Sequence, residues 1–304
     1  MLFLLLAAAL PAFALERFEA VEPVMGTLFR VVVYAESSAL ARQGFDAAFA
    51  RARELDARLS DYHADSELNR LCRAGQAQVS EDLFAILKLA LEIARSSHGA
   101  FDPTLGPFTQ LWRESRRNGR LPPTGEISEA RSRTGWRKIK LNARTRTVRL
   151  SATGMQLDLG GIAKGFAAQE MLTVLGKLGL PSALVAASGD IALGAAPPGR
   201  TGWSVEAGGR HRILANCGVS TSGPEAQFVM IDGRKYAHIV DSRTGIGLIN
   251  ARTAAVIAPT ATLADALATA AVVLDPASAQ RLAGRWKAVC LRNTATTEVE
   301  RTIK

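Results

Sequence analysis

The sequence predicts an α+β fold, one domain of mixed or antiparallel sheets packed by helices. Three observations carry that expectation. Apolar residues recur at three- and four-residue spacing in only a few long segments; short apolar runs bounded by glycine-rich turns fill much of the second half; and the two kinds of segment do not alternate as a doubly wound parallel sheet requires. No Pro/Gly/Ser-rich linker or charge block divides the 304 residues, so they are read as a single unit.

The chain opens with an apolar stretch, residues 1–14, ending in Ala12-Phe13-Ala14 and followed at once by Glu16 and Arg17. That is the small-x-small pattern of a signal peptide. It predicts an exported protein, periplasmic or otherwise extracytoplasmic, with residues 15–304 as the functional domain. The stretch is short for a membrane span of about 17 to 25 residues, and no later segment is long and apolar enough. An uncleaved interfacial anchor is the alternative, which would put the protein in peripheral contact with the inner membrane.

Residues 27–34 are rich in β-branched and aromatic side chains, which predicts a strand entered from a turn at Met25-Gly26. Over residues 38–59, Phe45, Ala48, Phe49, Ala52, Leu55 and Leu59 mark one buried helical face. A second helix starts after Ser80 as N-cap and stops near Gly99; a third covers about 162–178; a last one covers about 262–274. Strands are expected at 137–141 and 145–150 around an Asn142 turn, then at 183–187, 203–207, 227–231, 253–258 and 286–291.

With 48% hydrophobic and 21% charged residues the chain is an ordinary globular one. A net charge of +9, from 37 Lys+Arg against 28 Asp+Glu, favours anionic ligands. The densest basic run, residues 113–120, has no interleaved aromatics and belongs to no nucleic-acid motif; it reads as a solvated loop, and no nucleic acid is expected. Cys72, Cys217 and Cys290 show no metal-ligand spacing and read as buried, inert thiols, with at most one bridging pair as the alternative in an oxidising compartment.

Chemistry concentrates in a few segments. Asp158-Leu-Gly-Gly-Ile-Ala-Lys-Gly165 flanks consecutive glycines with an acid and a lysine just as a helix begins, which suits a phosphate and equally describes an ordinary helix entry. Asp265 and Thr269, four residues apart on the last helix, put two hard oxygen donors on one face; a capping pair is the alternative to Mg²⁺. In Tyr236-Ala-His238-Ile-Val-Asp241-Ser-Arg-Thr-Gly245, His238 can accept a hydroxyl proton because imidazole titrates near neutrality; a structural histidine is the alternative. Thr221-Ser-Gly223 reads as a polar turn that could bind phosphate or simply turn. Ser60-Asp-Tyr62 and Gly99-Ala-Phe-Asp-Pro103 each join an aromatic to an acid, fit to stack on a planar ring or simply to cap and turn.

Taken in order with Val24-Met25-Gly26-Thr27 and Ala264-Asp-Ala-Leu-Ala-Thr269, these segments resemble the FAD:protein FMN transferase, or ApbE, family across nearly the whole chain after the leader. The resemblance implies an α+β enzyme that cleaves the pyrophosphate of FAD with Mg²⁺. It leaves FMN on a threonine of an acceptor flavoprotein, and AMP departs. It implies that Met25, Tyr62, Ala100, Phe101, Asp102, Asp158, Lys164 and Ile239 line the FAD site, that the Gly161 carbonyl joins Asp265 and Thr269 on the metal, and that His238 is the base. Lys164, Arg243 and helix N–H groups are expected to neutralise the diphosphate. A FAD pyrophosphatase, with water as acceptor, and a non-catalytic flavin-binding protein are the competing readings. The chain departs from the family pattern at Ser242, where proline is usual, at Ser188-Gly189-Asp190, where Gly-Gly-Asp is usual, and at Pro224-Glu225.

Overall fold

The computed structural model describes residues 15–224, 228–249 and 252–292. The expected signal segment, together with Glu225 and Gln227, lies outside the described residues.

The chain begins with a hairpin, β1 (Glu16–Val24) and β2 (Thr27–Ala35), joined by Met25-Gly26, both at positive φ (52° and 71°). Such a two-residue turn matches the right-handed twist of its strands. Only β2 was expected; β1 alternates charged and apolar residues at an open sheet edge, and its apolar signal is weak. Helix α1 (Ser38–Leu59) buries Ala48, Phe49, Ala52, Leu55 and Leu59 as its spacing requires, and the Ser37 hydroxyl caps it. Next come α2 (Glu67–Ala74), the short β3 (Gln76–Gln78) and α3 (Glu81–Ser96), where Ser80 is the N-cap and accepts the Leu83 N–H at 3.2 Å.

Residues 113–120 do not form the solvated loop expected of them. Most of the run lies in α4 (Gly106–Asn118), whose Phe108 and Trp112 are buried; the apolar face is there, but arginines surround it and mask the period. After α5 (Thr124–Ser132) a 3₁₀ turn at Trp136–Lys138 replaces the start of the strand expected at 137–141. The chain then forms β4 (Ile139–Asn142), β5 (Thr147–Leu150) and α6 (Ala163–Lys177).

Then follow β6 (Ala183–Ala187), β7 (Asp190–Leu193), β8 (Trp203–Ala207), β9 (Arg210–Leu214) and β10 (Cys217–Ser222). Thr221 and Ser222 therefore end a strand instead of forming a turn. Strands β11 (Phe228–Ile231), β12 (Arg234–Asp241), β13 (Ile246–Ile249) and β14 (Ala254–Ala258) lead to α7 (Ala261–Val273). Two elements close the described chain, α8 (Pro276–Arg285), not expected, and β15 (Val289–Arg292), shorter than the strand expected at 286–291 because Trp286 caps α8.

The strands pair antiparallel throughout the described residues. A seven-stranded sheet runs β1-β2-β6-β7-β10-β14-β15. Helices α1, α6 and α7 cover one face, and the β8-β9 hairpin, through Trp203 and Val205, covers part of the other. The smaller β11-β12-β13 sheet packs on α4 through Tyr236, Val240, Phe108 and Trp112. The α+β expectation holds in this arrangement, which brings the starts of α6, α7 and β7 together. No helix among the described residues is long and apolar enough to cross a membrane.

Candidate functional site

The site lies at the contact between α6 and α7. The N-cap of α6, Ile162, offers no side-chain acceptor, so the first-turn N–H groups must find partners elsewhere. One of them, Gly165 N–H, donates to Asp265 Oδ2 at 2.9 Å, and Asp265 thus caps α6 from the neighbouring helix. The helices approach this closely because Gly165 has no side chain: a Cβ there would stand 2.4 Å from the Ala261 carbonyl oxygen and 2.6 Å from Asp265 Cβ.

One turn further along α7, Thr269 Oγ1 lies 3.4 Å from the carbonyl oxygen of Gly161. The glycine carbonyl, the Asp265 carboxylate and the Thr269 hydroxyl therefore lie along the same α6-α7 contact. Lys164 reaches into the same place, its Nζ 3.1 Å from Asp190 Oδ2, 3.8 Å from Asp265 Oδ2 and 3.2 Å from the Gly160 carbonyl oxygen. Burial works against the charge on Lys164, but Asp265 and Asp190 outweigh it and hold its pKa above the usual lysine value.

Asp190 was not anticipated as a site residue. It opens β7 directly after the Ser188-Gly189 turn, is buried, and accepts the Ser220 hydroxyl at 2.6 Å. The sequence signal was present in the Gly-Asp step after an apolar strand, but it marked only a turn. Ser188 does take a positive φ of 58°, as a departure from glycine there implied.

Two buried carboxylates thus share one ammonium. Burial, then repulsion by Asp190, push the Asp265 carboxyl up to about 7, while Lys164 and the Gly165 N–H pull the other way. A divalent cation would balance the surplus negative charge, and carbonyl, hydroxyl and carboxylate oxygens are the donors that Mg²⁺ prefers. The donor set fits the ion. Among the described residues no group of three His, Cys, Asp or Glu side chains could hold a metal, as expected where two of three donors are a backbone carbonyl and a hydroxyl.

Beside this centre, Asp158 Oδ1 accepts the Gly160 N–H at 2.7 Å and its own N–H donates to the Pro103 carbonyl at 2.9 Å, tying the glycine turn to the Gly99–Pro103 segment. Within that segment Ala100 is half-buried, Phe101 is buried in the main core, and Asp102 is buried with three donors, Thr104 N–H, Thr104 Oγ1 and Trp136 N–H. Burial raises the Asp102 pKa against those bonds. Met25 sits on the β1-β2 turn against the core, and Tyr62 stands 71% exposed with the Arg113 guanidinium over its ring.

His238 lies on β12, half-buried, where the pairing with β13 shifts register between Tyr236 and Val240. Its neighbour Ile239 is buried in the main core, and β12 touches α7. Arg243 is committed differently from expectation. Its Nη2 is 2.7 Å from Asp241 Oδ2, and this bond holds the Asp241 pKa below the usual carboxylate range against the effect of burial. Its charge is already partnered locally. Of the three thiols, Cys72 and Cys290 are buried and Cys217 is half-buried.

The sequence model of the ApbE family matches residues 25–291. A FAD:protein FMN transferase of Treponema pallidum is 36% identical over 280 residues, covering 83% of this chain and 77% of its own. The apo crystal structure of the Pseudomonas stutzeri flavinyl transferase ApbE superposes with a TM-score of 0.81 at 27% identity, covering 94% of each chain. An ApbE protein of Thermotoga maritima superposes with a TM-score of 0.80 at 25% identity, covering 94% of this chain and 98% of its own.

Proposed function

Because the chain belongs to the ApbE family, we propose that it is an FAD:protein FMN transferase that moves FMN from FAD onto a threonine hydroxyl of an acceptor flavoprotein and releases AMP. The observation that carries this reading is the junction of α6 and α7, where the Gly161 carbonyl, Asp265 and Thr269 converge beside Lys164.

The bond that forms joins the threonine oxygen to the phosphorus of the FMN half. The bond that breaks runs from that phosphorus to the bridging oxygen, whose electron pair leaves with AMP. Asp265, Thr269 and the Gly161 carbonyl would hold Mg²⁺, which when bound screens the diphosphate against an incoming oxygen and eases departure of the leaving group. Lys164 adds a fixed positive charge at the same edge, and the N-terminal end of α6 adds the positive end of its dipole. His238 takes the proton of the threonine hydroxyl, which turns a weak nucleophile into a competent one. Asp158 and the segment 99–103 shape the wall next to the glycine turn. The apolar stretch at residues 1–14 supports placing the reaction outside the cytoplasm.

The test uses the protein, FAD, Mg²⁺ and a candidate acceptor, resolved on a denaturing gel. Flavin fluorescence should migrate with the acceptor, vanish with a chelator, and vanish for His238→Ala while that variant still binds FAD. Free FMN and AMP accumulating beside an unlabelled acceptor would show that water is the true nucleophile. Wild-type transfer by His238→Ala would remove the base assignment.

A further inference from the structure

The Tyr62 ring has no role in holding the fold, since it is 71% exposed and contributes little of the burial expected of a structural tyrosine. Yet it is not loose. The Arg113 guanidinium carbon lies 3.9 Å from the ring centroid, and Arg113 Nη2 is 2.6 Å from Asp61 Oδ2. Both partners of that pair are largely withdrawn from water, with side-chain exposures of 22% for Arg113 and 16% for Asp61.

The turn beneath is fixed as well. Tyr62 N–H donates to Ser60 Oγ at 3.2 Å, and the Asn69 amide donates to the carbonyls of Asp61 and His63 at 3.1 and 2.9 Å. Cys72, on the same helix α2 as Asn69, accepts the Leu157 N–H at 3.3 Å, next to Asp158 at the head of the glycine turn, and the Asp158 charge acts on both Asp61 and Arg113. The exposed ring therefore stands at the edge of the candidate site, one face covered by a guanidinium and the other open.

We propose that Arg113 is a positioning residue for FAD: anchored by Asp61, it backs the Tyr62 ring and presents the open face of that ring to a planar heterocycle of the dinucleotide. The inference rests on the FMN transferase reading and adds a residue that neither the resemblance nor the motifs supplied. A guanidinium suits the task because it is flat, delocalised and weakly hydrated, so it can stack on the ring while keeping its carboxylate; an ammonium can keep the carboxylate but cannot stack. Either the isoalloxazine or the adenine of FAD could rest on Tyr62, and the two halves can be told apart by competition.

The experiment titrates FAD into the whole protein in Mg²⁺ buffer, following flavin emission, for wild type, Arg113→Ala and Arg113→Lys, with thermal melting alongside. Arg113→Ala should weaken FAD binding about tenfold, the cost of ordering a ring that is no longer held in place before FAD arrives. Arg113→Lys, which keeps the ion pair and therefore the fold, should be nearly as weak. Tyr62→Ala should lose a similar factor, and added to Arg113→Lys it should lose little more. Competition by FMN and by AMP should weaken in Arg113→Lys only for the half whose ring rests on Tyr62. Wild-type affinity in Arg113→Lys would reduce Arg113 to an ion-pair tether and overturn the proposal, as would full additivity with Tyr62→Ala. Absence of FAD binding by the wild type would instead overturn the transferase reading beneath it.

Discussion

The hydroxyl of Thr269 faces the carbonyl oxygen of Gly161 at 3.4 Å across the gap between α7 and the entry to α6. That distance depends on a missing side chain. A Cβ on Gly161 would stand 2.9 Å from Thr269 Cγ2 and 3.0 Å from Thr269 Oγ1, closer than carbon atoms pack without displacement.

Gly161→Ala should therefore part the two oxygens while leaving the sheets intact. We expect at least a tenfold loss of Mg²⁺ affinity in the presence of FAD, with a melting temperature lowered by no more than a few degrees, because the strain is local and about 1 to 3 kcal/mol. Thr269→Val, which keeps the shape and removes the oxygen donor, should lose affinity without the strain. Calorimetry on the two variants decides the matter; unchanged Mg²⁺ binding in both would remove these residues from the metal site.

Asp265 makes stability depend on pH in an unusual direction. Its carboxyl is pushed up to about 7 by burial and by Asp190, well above the reference value of about 3.9 for an unfolded chain. The folded state holds the proton more tightly, so this group's contribution is fully present below about pH 4 and is lost as pH rises through about 7. Without metal, the protein should melt higher at about pH 5.5 than at about pH 8.5, and Asp265→Asn should flatten that difference. Mg²⁺ competes with the same proton, so its affinity should fall up to tenfold for each pH unit below about 7. Melting curves with and without the ion, across that range, test both halves.

The charge on Asp190 should matter to the centre more than its volume does. Asp190→Asn leaves an oxygen for the Ser220 hydroxyl, 2.6 Å away in the wild type, but removes the carboxylate 3.1 Å from Lys164. Lys164 then has Asp265 as its remaining carboxylate partner, where it competes with the cation. We expect weaker Mg²⁺ binding, roughly tenfold or more, and a stability loss of about 1.5 to 3 kcal/mol, the range for a hydrogen bond to a charged group. Ser220→Ala should be milder on both counts. Mg²⁺ affinity equal to wild type in Asp190→Asn would show that Lys164 is not steered by this carboxylate.

What the sequence disclosed and what it hid differ in physical kind. The strongly periodic α1 was legible to its bounds because Ala48, Phe49, Ala52, Leu55 and Leu59 all face one core. Helical spacing put Asp265 and Thr269 on one side of α7 but left a capping pair open, and only the resemblance singled them out. Arg113 was hidden, since charge density in residues 113–120 suggested solvent, whereas α4 buries Phe108 and Trp112 and turns Arg113 onto Tyr62. Asp190 was hidden for a different reason. Its partners Lys164 and Ser220 lie 26 and 30 residues away in opposite directions, and only the packing of α6 on β7 and the β7-β10 register, Asp190 opposite Ser220, bring them together. Local pattern reports faces and caps; it does not report which carboxylate meets which ammonium across a sheet.

Ser242, where the resemblance implies proline, makes a bond of its own. Its hydroxyl donates to the Gly99 carbonyl at 2.7 Å, linking the turn that follows the His238 strand to the Gly99–Pro103 segment. Arg131 braces the same turn by donating to the carbonyls of Arg243 and Thr244, so losing the serine bond should not unfold it. Ser242→Ala should cost about 1 kcal/mol and raise the KM for FAD several-fold, while kcat at saturating FAD stays near wild type, because His238 and the α6-α7 junction are untouched. Ser242→Pro removes the same hydroxyl but stiffens the turn through its fixed φ, so its stability should lie closer to wild type than that of Ser242→Ala. Steady-state kinetics with melting curves on both variants separate the two effects. A fall in kcat with unchanged KM in Ser242→Ala would mean that the bond serves the base on β12 and not the FAD wall.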